Sequence, residues 1–158
     1  MRQSSRRQLF ALLCLPAIVI TLTARMGASE PPSTVVLQEL VNDLKAELGI
    51  DAVVSAEIVT TNTLLVSVQR VESDSRTFRM MFEERFLTSV DQDELKAIVA
   101  HELGHVWIFT HHPYLQTEQL ANTVAMRAVP RVSLERVYGK VWERQGTKGD
   151  LVRFLGPE

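Results

Sequence analysis

Cysteine is almost absent from this 158-residue chain: the only one is Cys14, inside an apolar N-terminal run. Everything after it folds without disulfides and without thiol chemistry, so cysteine is excluded there as nucleophile or metal ligand. An excess of basic charge is missing too. Lys and Arg number 17 against 19 Asp and Glu, and four of the arginines (2, 6, 7 and 25) fall in the first 28 residues. Without that segment 13 basic residues face 19 acidic ones, a net of −6. A mildly acidic domain is a poor nucleic-acid binder, and no nucleic-acid partner is expected. There are no internal repeats or low-complexity tracts, and beyond the leader no apolar run is long enough to span a bilayer.

What is present begins with an export pattern. Arg2, Arg6 and Arg7 precede the apolar run Leu9 to Ala24, which Pro16 interrupts, and Gly27, Ala28 and Ser29 supply small residues for cleavage. We read residues 1–28 as a signal peptide, 29–34 as a linker and 35–158 as the folded domain, exported to the periplasm or beyond. The alternative is an N-terminal membrane anchor, which the shortness of the run disfavours. Ser5-Arg6-Arg7-Gln8-Leu9-Phe10 is similar to a twin-arginine signal with its last two residues reversed. Leu13, where a lipoprotein signal needs a small residue, argues against lipid attachment at Cys14.

The domain reads as α+β. Val36, Leu37, Leu40, Val41, Leu44 and Leu48 recur at helical spacing, and Gly49 ends that helix. Alternating stretches follow at Ala52 to Thr60 and Leu64 to Val71, then a third strand through Phe78, Met80 and Phe82 towards Phe86 and Leu87. Short links between them predict a small three-stranded, largely antiparallel sheet. Asp91 and Glu94 form a capping box ahead of a long helix. Two further helices are predicted at Thr117 to Val129 and Ser133 to Gln145, with Leu151 to Leu155 packing back.

The long helix carries His101-Glu102-Leu103-Gly104-His105, the HExxH pattern of zinc peptidases. One turn apart, His101 and His105 point the same way and can share one metal ion, with Glu102 beside it as a base. Two histidines and a glutamate buried together without a metal would be costly. A catalytic zinc takes three protein ligands and keeps one position open. Two residues compete for the third place. His111 has the spacing of an HExxHxxGxxH motif, but Ile108 stands where that motif needs glycine for a sharp turn, so the helix is expected to continue. Glu118 can reach the metal from a returning helix, with Asn122 one turn later to orient a histidine. Glu118 also reads simply as an acid favoured at a helix N-terminus.

Residues Asp93 to His105, together with Glu118-x-x-Ala121-Asn122-x-x-Ala125, resemble the metal helix and glutamate helix of M48-type gluzincin peptidases. The likeness runs from about Thr77 to Pro130, and the second segment is also similar to ImmA/IrrE-type peptidases. Asn122 departs from the Asp often found there, and the gap between His105 and Glu118 is short. The resemblance implies a minimal gluzincin-like zincin fold with one zinc ion per chain held by His101, His105 and Glu118. It implies Glu102 as general base and a peptide or protein as substrate. A further polar group is needed for the oxyanion, with His111, His112, Tyr114 and Tyr138 as candidates. Two other readings stay open: a regulatory protease acting on one protein, and a non-catalytic envelope module stabilised by zinc.

Overall fold

The computed structural model describes residues 31–72 and 74–157, so the expected signal peptide lies outside the described residues. Nine elements follow in order: α1 (Thr34–Glu47), β1 (Val53–Val59), β2 (Val66–Arg70), β3 (Thr77–Glu83), α2 (Glu84–Leu87), α3 (Gln92–His111), α4 (Glu118–Ala125), α5 (Arg131–Gln145) and α6 (Leu151–Leu155). The α+β expectation holds. Among the described residues no helix is long and apolar enough to cross a membrane.

The sheet is mixed. Its order is β1-β3-β2, with β2 and β3 antiparallel as expected but β1 and β3 parallel. Alternation of side chains reports two faces and says nothing of neighbour order. Residues 60–65 carry the chain across the end of the sheet, about two strand spacings or roughly 10 Å, and β3 then fills the gap. Phe86 and Leu87 also depart from the expected strand. Both are buried although adjacent, and they sit on the short helix α2. Leu64, read as strand, is 65% exposed in the turn before β2.

Leu37, Val41, Leu44 and Leu48 line one stripe of α1 and are fully buried, each worth about 2 kcal/mol of transfer. Across from them the sheet contributes Val54, Ala56, Phe78, Met80 and Phe82. α1 lies over β1 and α3 over β2 on the same face, while α4 and α5 close the other side of α3. That placement explains why α3 is apolar nearly all round: Leu95, Ala97, Ile98, Val99, Ala100, Leu103, Val106 and Ile108 are all buried.

The capping box forms as predicted. Glu94 N–H donates to Asp91 Oδ1 and Asp91 N–H to Glu94 Oε2, both at 2.8 Å. Glu94 is itself buried and pairs with Lys140 of α5. A second clamp joins Arg144 to the buried Glu83 at 2.7 Å and 3.0 Å. Together they fix α5 across the end of the sheet and the start of α3.

Candidate metal centre

α3 and α4 pack directly on each other, and at Gly104 the contact is backbone to backbone. A Cβ built there would lie 2.3 Å from the Ala121 carbonyl oxygen and 2.9 Å from two other Ala121 backbone atoms. On the α4 side the contact is made by small residues, Ala121 and Ala125, both fully buried. The glycine of HELGH is the other half of that contact, and periodicity alone does not reveal it.

This approach sets Glu118, the first residue of α4, against the two histidines. Its Oε2 lies 3.3 Å from His101 Nε2, and its Oε1 lies 3.4 Å from His105 Nε2. One ligand atom from each of His101, His105 and Glu118 falls within 4.8 Å of the others. The short gap after His105 is no obstacle. From His105 the helix rises about 9 Å to His111, and residues 112–117 can span about 20 Å on the way back. Thr117 caps the new helix by accepting from Leu120 N–H.

Both imidazoles are held from behind. His101 Nδ1 donates to Asn122 Oδ1 at 2.8 Å, and His105 Nδ1 donates to Gln116 Oε1 at 3.1 Å. Those amide orientations follow from their other ends: Asn122 Nδ2 faces the Phe154 carbonyl, and Gln116 Nε2 faces the His105 carbonyl. With Nδ1 carrying the proton, each Nε2 lone pair turns towards Glu118. Two such nitrogens and a carboxylate suit zinc, and the backing acceptors suit a histidine ligand. Gln116 was not anticipated. It sits in the α3–α4 link, where no sequence pattern marks it.

Without a metal ion Nε2 can carry a proton instead, and hydrogen bonds from His101 first, and then His105, then hold the Glu118 carboxyl well below the usual carboxylate range. Glu102 behaves oppositely. It is 8% exposed, and burial pushes its carboxyl up, opposed by the two imidazoles and by the Val68 backbone N–H. The two acids thus differ in kind, one held ionised by its neighbours and the other pushed by burial towards its protonated form.

A cavity of about 570 Å³ opens in front of these groups, walled by Val66 to Val68 on one side and by Phe109, Val137, Tyr138 and Trp142 on others. β2 is an edge strand. Leu65 accepts from Glu83 and Val71 donates to Thr77, so odd positions bond β3 while Val66, Val68 and Arg70 turn their backbone groups to the free edge. Leu65 enters this strand at φ 67°, with Leu64 accepting from Val66 N–H at 2.8 Å, a strained γ-turn beside the cavity.

Of the four oxyanion candidates, only Tyr138 lines the cavity. Its hydroxyl lies 3.5 Å from Glu118 Oε2, and burial raises its pKa, so it stays a donor. His111 is stacked on Trp107 with ring centroids 4.4 Å apart and does not join the cluster, because the helix runs straight through Ile108 as expected. Tyr114 is 98% exposed, and His112 only ends α3.

The fold is similar to two solved structures. One is the metallopeptidase zymogen of Pyrococcus abyssi abylysin, with a TM-score of 0.50 and 16% identity, covering 72% of this chain and 99% of that one. The other is the metallopeptidase zymogen of Methanocaldococcus jannaschii jannalysin, with a TM-score of 0.51 and 16% identity, covering 69% and 96%. At such identity the likeness speaks for the fold alone. No curated protein matches the sequence. The profile of peptidase family M48 matches residues 17–147, taking in the HELGH helix, α4 and all of α5. On that match the chain belongs to peptidase family M48 and is a zinc metallopeptidase.

Proposed function

We propose that the chain is an exported endopeptidase in which His101, His105 and Glu118 hold one zinc ion and Glu102 is the general base. The observation that carries this reading is the convergence of two imidazole nitrogens and a carboxylate beside a buried second carboxyl, at the floor of an open cavity. When bound, zinc supplies Lewis acidity to the scissile carbonyl and the attacking water. Glu102 takes a proton from that water and later passes it to the leaving amine. Tyr138, on α5, turns its one hydroxyl proton from Glu118 to the carbonyl oxygen as negative charge develops there. An extended substrate adds to the free edge of β2, using the backbone groups of Val66, Val68 and Arg70. A three-residue cluster facing an open cavity favours peptide entry over a structural metal site, which would be closed by four protein ligands.

The ligand set has a direct test. Glu118→Ala should lose zinc on dialysis against a mild chelator and lose its activity, whereas His111→Ala should keep zinc near one equivalent. Zinc loss from the His111 variant alone would transfer the third ligand to His111. Equal retention in both would point to another group.

Export is tested separately. The full chain made in a bacterial host should appear outside the cytoplasm, about 28 residues shorter than its translated length, by intact mass. An unprocessed Met1 in the membrane fraction would make the apolar run an anchor.

A further inference from the structure

Asn122 is completely buried, and its whole side chain is engaged. While Oδ1 accepts from His101, Nδ2 donates to the Tyr138 hydroxyl at 2.8 Å and to the Phe154 carbonyl at 2.9 Å. Phe154 lies on α6. Its ring packs against Tyr138 and Trp142 at centroid distances of 5.1 Å and 5.9 Å. The next three carbonyls are also taken: the Arg131 guanidinium donates to Leu155 at 3.1 Å, Gly156 at 2.9 Å and Pro157 at 3.4 Å. Glu135 steadies that arginine at 2.8 Å. The carbonyls ending a helix normally face water; here four in succession face side chains of α4 and α5.

We propose that residues 150–157 are a positioning element of the metal centre. Docked by Arg131, the segment holds the Asn122 amide, and Asn122 in turn orients His101 directly and Glu118 by way of Tyr138. The choice of amide over acid at position 122 follows from this arrangement. An aspartate would accept from His101 equally well, but it has no proton for the Phe154 carbonyl and would repel it. The proposal rests on the ligand assignment given above. Linkage adds a consequence: if docking of the segment tightens zinc binding, zinc must stabilise docking by the same factor.

The test uses the full chain with zinc as the only ligand, following hydrogen exchange at the amides of residues 152–156 with α1 as an internal reference. Zinc should slow exchange at residues 152–156 about tenfold more than in α1 in the parent protein. In Asn122→Asp that selective slowing should vanish although zinc still binds. Arg131→Ala should bind zinc about tenfold more weakly in competition with a chelator, at unchanged far-UV circular dichroism, within the range seen when groups behind a ligand are removed. Equal slowing in the parent and Asn122→Asp would overturn the proposal, as would unaltered zinc affinity in Arg131→Ala. Higher peptidase activity in Arg131→Ala at unchanged zinc affinity would make the segment a cover on the cleft instead. If the parent protein takes up no zinc, the ligand assignment fails. The coupling is then read from whether Asn122→Asp speeds exchange at residues 152–156 without metal.

Discussion

Glu102→Gln should lower peptide hydrolysis by about three orders of magnitude, within the range attributed to general-base catalysis, and leave zinc at one equivalent per chain. The amide keeps the shape of the side chain. It cannot take a proton from water. The pH dependence changes in a defined sense. In the parent protein, acidification should protonate Glu102 and remove the proposed base, so the rate is expected to fall on the acid side. In Glu102→Gln the residual rate should lack that acid limb. Steady-state kinetics across pH, paired with metal analysis, reads both effects. Undiminished hydrolysis at full zinc occupancy would take Glu102 out of the mechanism.

Gly104→Ala should be destabilising and should weaken zinc binding, although alanine is the better helix former by about 1 kcal/mol. Two effects compete. Propensity favours the substitution, but the new methyl would stand 2.3 Å from a backbone oxygen of α4. Backbone cannot swing aside as a long side chain can, so α4 has to shift by about an ångström. Overpacking of this kind costs about 1–3 kcal/mol or more, enough to reverse the sign. The shift also displaces Glu118 and Asn122, the residues of α4 that face His101. Thermal unfolding of the metal-free protein and chelator competition should therefore move together, unlike in Glu102→Gln, where neither is expected to move. A more stable Gly104→Ala with normal zinc affinity would mean that the two helices do not meet at this point.

Several features were legible because their causes are local. The capping box at Asp91 and Glu94 needs only residues three apart, and the shared direction of His101 and His105 needs only helical pitch. Ile108 disfavours a sharp turn by its own β-branch, which is why the helix could be expected to run on towards His111 before its position was known. The α+β class followed from periodicity, and so did the stripe on α1.

What the tertiary structure alone decided depends on contacts between residues far apart in the chain. Strand alternation does not encode neighbour order, so the parallel pairing of β1 with β3, and with it the exposure of β2 as the edge beside the cavity, came only from the packed sheet. Helical spacing by itself puts Leu134 and Tyr138 on one face of α5. That Tyr138 alone among four polar candidates reaches the cavity depends on the ion pairs that seat α5. Gln116 behind His105, Gly104 against Ala121, and Asn122 beneath the Phe154 carbonyl leave no local pattern either. Each is a requirement set by a partner brought close only when the chain is folded: an acceptor for an imidazole, room for a backbone, a donor for a buried carbonyl. A sequence records such residues but not the partners that make them necessary.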